Sequence, residues 1–409
     1  MPVIKLQEDS SRLIVAGGTT LSTFTFPGHA AKPVEEVHIR PSFHRDSQGR
    51  LYNDWIGRTP TDDITSISCI EGTGEFILAH VSGLLQKCKI ETSSYDDRRP
   101  FLRSICRYGN SKRIIQAVSA SKSGLIASVA SHSGGTISLY RSNSPWQDPI
   151  TWRTKHKPWS LLLDPSGSRP RWLALGESGH TPCRLYELHQ DGTPVDVNSP
   201  ITLLGNNIST AVYDFASPPS SGSSPLGDPS HTIVSGWYDG TVRIHDLRRP
   251  SRQPTLTMYD PFADVPVYSV ACGGGAGCTI AAGTARHGLV RTWDVRKAKH
   301  DVKAGTSIFG PGKDSSPVYS LEMEHDRLFG VTDRRAWMMT FGYSAGSKNG
   351  SSRSGVAPSR HPYHNSNTHR HSDKRDDTLH RFSKARIHSR DTNQLSYYRH
   401  SDMSLRKIT

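Results

Sequence analysis

SGWYDGTVRIHDLRRP, residues 235–250, reads as a β-hairpin. Asp239 can bond its own backbone and Gly240 tolerates positive φ, so the pair suits a tight turn. Thr232, Ile233 and Val234 run toward that turn, and Thr241 to His245 leave it with period two. Val242 and Ile244 share one face, opposite Thr241, Arg243 and His245. Some fifty residues on, AAGTARHGLVRTWDVRK (281–297) repeats the order: small-residue strand, polar turn, alternating strand, then Trp293-Asp294-Val295-Arg296. A motif that returns at this interval is a structural unit rather than a single catalytic loop.

Working outward from these two copies, an opening strand precedes each: VYDF at 212–215 and PVYSV at 266–270, with PVYSL at 317–321 as a third. Tyr213, Tyr268 and Tyr319 therefore recur about every fifty residues. Weaker copies open at VIKLQEDSSR (3–12), DITSISCIEGTG (63–74), IIQAVSASKSG (114–124) and PWSLLLDPSG (158–167), giving seven. A sheet of three or four short strands cannot bury both faces alone, so such units need neighbours. Stacked radially they form an all-β, seven-bladed β-propeller over residues 1–342. Insertions such as SPPSSGSSPLGDPSH (217–231) are expected to be mobile loops.

Composition agrees with this fold class. The 409 residues include 35 Gly and 26 Pro, with many short β-branched runs and few helical patterns. Residues 343–409 differ: they are rich in Ser, Arg and His and poor in apolar residues, which predicts a disordered tail. That tail holds 13 Lys and Arg against 5 Asp, leaving 37 basic and 32 acidic residues before it. Most of the formal charge of +13 thus belongs to the tail, where contact with RNA or another polyanion would be nonspecific. Nucleic acid is not the expected main partner.

Cys69, Cys88, Cys106, Cys183, Cys272 and Cys278 match no metal or redox spacing and are expected to be reduced. The N-terminus lacks a signal-peptide core and no apolar run reaches membrane length, so a soluble cytoplasmic or nuclear protein without membrane contact is expected. The sequon Asn207-Ile208-Ser209 carries little weight there.

DGTVRIHDLR (239–248) and HGLVRTWDVR (287–296) resemble WD repeats, with His245-Asp246 replacing the Trp-Asp pair in the first. PVYSLEMEHDRLFGVTDRR together with WLALGESGHTPCRLYEL looks like the fungal F-box/WD-repeat proteins related to dactylin. That resemblance implies a substrate receptor of an SCF-type ubiquitin ligase, bound to a Skp adaptor and cullin through an F-box. The repeats begin at Val3, so no F-box is expected within this sequence. The seventh unit offers three strands by about residue 342; its fourth is expected from a segment ahead of Met1 or from the tail.

No G-x-S-x-G, P-loop or H-E-x-x-H motif is present, and no enzyme activity or cofactor is expected. Asp239, Gly240, His287, Gly288, Trp293 and Asp294 are read as structural turn and strand residues. The tail histidines His361, His364, His369 and His371 lack a fixed geometry, so no metal is assigned. The candidate partner-binding residues lie on the second turns: Ser133, Tyr238, Arg286 and Arg334, with Trp237 and Arg335 adjacent. Aromatic and Arg side chains dominate interface energies, which suits an acidic or phosphorylated peptide. The bland reading leaves Arg334 and Arg335 paired with local acids such as Asp333.

Overall fold

The computed structural model describes residues 1–341, apart from 8–11, 27–33, 40–42, 46–50, 54–61, 93–99, 110–112, 132–133, 168, 206–208, 221–223, 261–264, 298–300, 303–304 and 312–314, together with 380–382 and 395–400. Among the described residues the regular structure is all strand, except for one 3-10 turn at Val295–Lys297.

Six blades of four antiparallel strands follow one another in the chain, the fourth and fifth joined edge to edge by the pairing of Ser178 with Ala211 and Gly179 with Thr210. Blade 1 contains Val3–Leu6, Arg12–Gly17, Thr20–Thr25 and Val34–Ile39; blade 2 contains Ile64–Ile70, Glu75–His80, Leu85–Thr92 and Pro100–Tyr108. Blade 3 contains Ile114–Ala120, Leu125–Ser131, Gly135–Arg141 and Ile150–Thr154; blade 4 contains Pro158–Leu163, Trp172–Gly179, Cys183–Glu187 and Ile201–Leu203. Blade 5 contains Thr210–Ala216, Thr232–Trp237, Val242–Asp246 and Leu256–Met258; blade 6 contains Val267–Gly273, Thr279–Thr284, Leu289–Asp294 and Thr306–Phe309. Blade 7 has Ser320–Glu324, Arg327–Thr332 and Arg335–Phe341 from the repeat, and its fourth strand is Leu395–His400, paired in parallel.

Strand alternation explains why the blades stack. In Arg12–Gly17, Leu13 and Val15 face Phe329, Val331 and Met338 of blade 7, while Ile14 and Ala16 face Ile64, Phe76 and Leu78 of blade 2. Successive side chains point to opposite faces of a strand, so one short apolar run serves two interfaces. Every blade boundary holds such a cluster. Each buried aliphatic side chain there contributes about 1.5–3 kcal/mol.

The ring is closed. Each first strand touches the next, and Ser320–Glu324 meets Val3–Leu6. Across that last junction Lys5 Nζ donates to Glu322 Oε1 at 2.7 Å and Ser320 Oγ donates to the Ile4 carbonyl at 3.3 Å. The protein is therefore a seven-bladed β-propeller whose first strands surround a central channel.

One expectation takes a different form here. The 217–231 insertion, expected to be mobile, is tied down after its undescribed residues 221–223: Leu226 is buried between blades 5 and 6, and Ser224 Oγ donates to the Gly277 carbonyl at 2.6 Å. The Ser230 carbonyl accepts from Trp172 Nε1 at 2.9 Å. Polar composition concealed one apolar anchor. Within the tail, His380–Phe382 and Leu395–His400 are strands that pair with each other; the rest, including His361, His364, His369 and His371, lies outside the described residues.

Candidate functional site

The channel mouth is set by an irregularity that recurs in the first strands. Ladder register slips between Ile64 and Ser66, Ile115 and Ala117, Pro158 and Ser160, Val212 and Asp214, and Val267 and Ser269. A bulge frees one residue from pairing and re-aims its side chain. The freed residues are Thr65, Gln116, Trp159, Tyr213 and Tyr268, and Tyr319 holds the matching place just ahead of Ser320 in blade 7. Blades 2 and 3 thus present small or amide side chains at this level, whereas blades 4 to 7 present aromatic rings.

Those rings form one continuous arc. Trp159 meets Tyr213 at 4.9 Å and 89°, Tyr213 meets Tyr268 at 5.0 Å and 78°, and Tyr268 meets Tyr319 at 6.2 Å and 39°. Tyr238 joins Tyr213 from the second turn of blade 5 at 5.8 Å and 82°. Most of these contacts are edge-to-face, the geometry that aligns a positive ring edge with a negative face. Lys157 Nζ lies 3.8 Å above the Trp159 ring, a cation–π contact at one end of the arc. At the other end the Asp333 carboxylate is near enough to Tyr319 to raise its phenol pKa.

Second turns bracket the arc because backbone bonds hold them beside the first strands. Ser178 N donates to Lys157 O, Tyr238 N to Ala211 O, and Ala285 N to Pro266 O, at 3.0, 2.8 and 2.9 Å. This outer tier carries Tyr238, 52% exposed, and the exposed Arg286, His287 and Arg334. Burial and neighbouring hydroxyls push the Tyr213 phenol up to about 12; burial and the Asp333 carboxylate do the same to Tyr319. Both stay neutral near pH 7 and can donate hydrogen bonds.

The candidate residues from the sequence divide accordingly. Tyr238, Arg286 and Arg334 are exposed on this face, and Arg335 is half-buried with Nη1 donating to the Pro311 carbonyl at 2.7 Å. Ser133 lies outside the described residues. Trp237, expected on the rim, is instead fully buried: Nε1 donates to Ser235 Oγ at 2.8 Å and the Arg243 guanidinium stacks 3.8 Å from its ring. The reason is strand parity, which turns Trp237 into the blade 4–5 core and leaves the next residue, Tyr238, outside.

The turn and strand residues have structural partners. Asp239 Oδ1 accepts from Thr241 N and Oγ1, and its Oδ2 from Arg243 Nη2 at 2.6 Å. Gly240 has φ +79°, while His287 and Gly288 have φ +63° and +58°, the two positive values of a type I′ turn. Trp293 is buried, and Gly305 is required beside it because a Cβ there would stand 2.7 Å from the indole. Asp294 clamps Arg296 through backbone N, Nε and Nη2, and Asp246 clamps Arg248 through the same three atoms. The two best repeats thus share an Asp-x-Arg device.

Below the mouth the channel is charged. Burial pushes the Asp214 carboxyl up to about 7; bonds from Val270 N and Phe215 N and the Lys5 cation counter it in part, and Glu322 adds to it. Burial works against the Lys5 cation, but Glu322 outweighs it and raises its pKa. Among the described residues no cluster of three or more His, Cys, Asp or Glu is placed to hold a metal ion, and no helix is long and apolar enough to cross a membrane. All six cysteines are free thiols.

No protein-family model and no curated protein matches the chain. Among solved structures, 1476 chains match, so the likeness identifies a widely used architecture. One is the crystal structure of Raptor from Chaetomium thermophilum, with TM-score 0.55 and 13% identity over 81% of this chain. The match spans only 27% of Raptor's own length. At that identity the likeness concerns the fold alone, and it agrees with the propeller.

Proposed function

We propose that the chain is a protein-interaction module that holds its target on the channel-mouth face of blades 4 to 7. One observation carries this reading: the Trp159–Tyr213–Tyr268–Tyr319 arc sits half-exposed beneath the exposed cations Lys157, Arg286 and Arg334. Aromatic and Arg side chains concentrated at one place are the composition of interface hot spots. An acidic or phosphorylated peptide complements the charge.

The finer reading makes this propeller the target-binding part of an F-box/WD-repeat receptor of an SCF-type ubiquitin ligase. It rests on the resemblance of 239–248 and 287–296 to WD repeats and of the flanking blades to the dactylin-related proteins. The alternative is a ligase-independent scaffold that assembles a protein complex. Affinity capture from native cells with a C-terminal tag separates them. Recovery of a Skp adaptor and cullin supports the receptor; their absence alongside stable partners supports the scaffold. Charge reversal by Arg286→Glu with Arg334→Glu is expected to release the target from a folded propeller, and undiminished target capture would sink the mouth-face reading.

A further inference from the structure

We infer that the aromatic arc selects an aromatic side chain of the target, set next to acidic residues, as the anchor that enters the channel mouth. This rests on the interaction-module reading and adds the chemistry of the ligand to it. The mouth is asymmetric. The bulged position carries Thr65 and Gln116 in blades 2 and 3 but Trp159, Tyr213, Tyr268 and Tyr319 in blades 4 to 7. A mouth that only closed the fold would need no such polarity, since blades 2 and 3 bulge at the same place with polar residues.

The ring geometry suits an aromatic guest. Tyr213 already receives Trp159, Tyr238 and Tyr268 at 78–89°, and a further ring arriving from the channel axis continues the same edge-to-face array. An aliphatic side chain covers similar area without the quadrupolar contribution of a ring pair. Tyr238, 52% exposed, leaves apolar surface in water that such an anchor would cover.

Charge points the same way. Lys157, Arg286 and Arg334 are exposed around the arc, with Asp333 as an exposed acid beside Arg334, while Asp239, the acid of the blade 5 turn, is already bonded to Arg243. Acidic residues beside the anchor therefore meet cations. The same sign of charge argues against the chain's own tail as occupant, because residues 343–409 carry 13 Lys and Arg against 5 Asp.

The test uses the full chain and four fluorescein-labelled probes: three decapeptide series, with Tyr or Phe between acidic residues, Leu between acidic residues, and Tyr between lysines, and a single-stranded RNA of ten nucleotides. Fluorescence anisotropy is expected to favour the acidic aromatic series by about tenfold over the Leu series. Tyr238→Ala, at an exposed position, and Tyr268→Leu, which keeps apolar area, are each expected to weaken that series by about tenfold or more. Unchanged thermal melting would show both variants folded. Equal affinity for the Leu series, preference for the lysine series, mouth-dependent binding of the RNA alone, or no binding by any probe would each overturn the inference. In those cases loss of captured target in the Arg286→Glu, Arg334→Glu variant would still uphold the interaction-module reading; survival of capture in all mouth variants would remove both.

Discussion

Ser160 Oγ donates to the carbonyl of Val212, 3.0 Å away and 52 residues later in the chain. Counterparts of this bond run around the ring. Ser66 and Ser68 accept from Val118 N and Ala120 N, Ser119 from Leu163 N, and Asp214 from Val270 N; Ser269 donates to Val318 O and Ser320 to Ile4 O. Gln7 completes the circle by donating to Gly74 O. Each first strand, or the residue next to it, is thus joined to the next blade by a side chain as well as by its apolar faces.

Ser269→Ala is expected to destabilise the protein by about 1–2 kcal/mol, because the buried Val318 carbonyl loses that donor. Ser160→Ala should cost a similar amount, and the double variant should be additive, since the two bonds share no partner. Urea denaturation measures both. A cost no greater than that of an exposed serine, such as Ser251→Ala, would show the relay to be incidental.

Gly330→Ala isolates an apolar contact in blade 7. A Cβ at Gly330 would lie 2.1 Å from the buried Trp337 ring, whereas one at Gly109 meets nothing within 4 Å. Overpacking of this kind costs roughly 1–3 kcal/mol. The expected outcome is a clear fall in melting temperature for Gly330→Ala and almost none for Gly109→Ala. Equal melting of the two variants would mean that Trp337 has room to move.

The pH dependence of stability should contain two opposed contributions. Asp214 is raised from 3.8 to about 7, so its contribution is complete below pH 4 and is lost as pH rises toward 7, by at most about 4 kcal/mol. His245, buried with Nε2 at 3.0 Å from the Leu204 carbonyl, is lowered from 6.5 to about 4. Its contribution is present above pH 6.5 and is lost as pH falls toward 4. Wild type should therefore change little between pH 4 and 7, while Asp214→Asn should expose the His245 loss as a steeper fall on the acid side. Parallel melting curves against pH for the two proteins would contradict this.

The repeats and their number were legible because the physics that makes them is local. Turn residues such as Asp239-Gly240 and His287-Gly288 punctuate alternating strands, and Val242 and Ile244 occupy one face as their parity requires. The mouth was only half legible. Tyr213, Tyr268 and Tyr319 recur visibly, but their aim depends on bulges that insert a residue against the partner strand. Trp159 was hidden because Pro158-Trp159-Ser160 resembles the tyrosine copies in position and not in residue type. Trp237 illustrates the converse error: it neighbours an exposed turn, yet one step of strand parity separates core from surface. Leu226 could not be read as an anchor from a Ser-Pro-Gly insertion, because its pocket is assembled by blade 6, beginning some forty residues later.

Blade 7 offers the last expectation. Its outer strand Leu395–His400 runs parallel to Arg335–Phe341, pairing Ala336 with Leu395 through to Phe341 with His400. The fourth strands of blades 1 to 6 pair antiparallel with the strand before them. Parallel pairing is slightly weaker per residue and here must also close a connection of more than fifty residues, which costs conformational entropy. Truncation after residue 342 should therefore leave the ring folded through the Lys5–Glu322 junction and the Ile4–Phe329 cluster. It should also accelerate hydrogen exchange at the outward amides of Arg335–Phe341, with exchange in blades 2 to 5 unaltered. Uniformly faster exchange in every blade would make the tail strand a condition of ring closure, and unchanged exchange at Arg335–Phe341 would show that it does not pair there in solution.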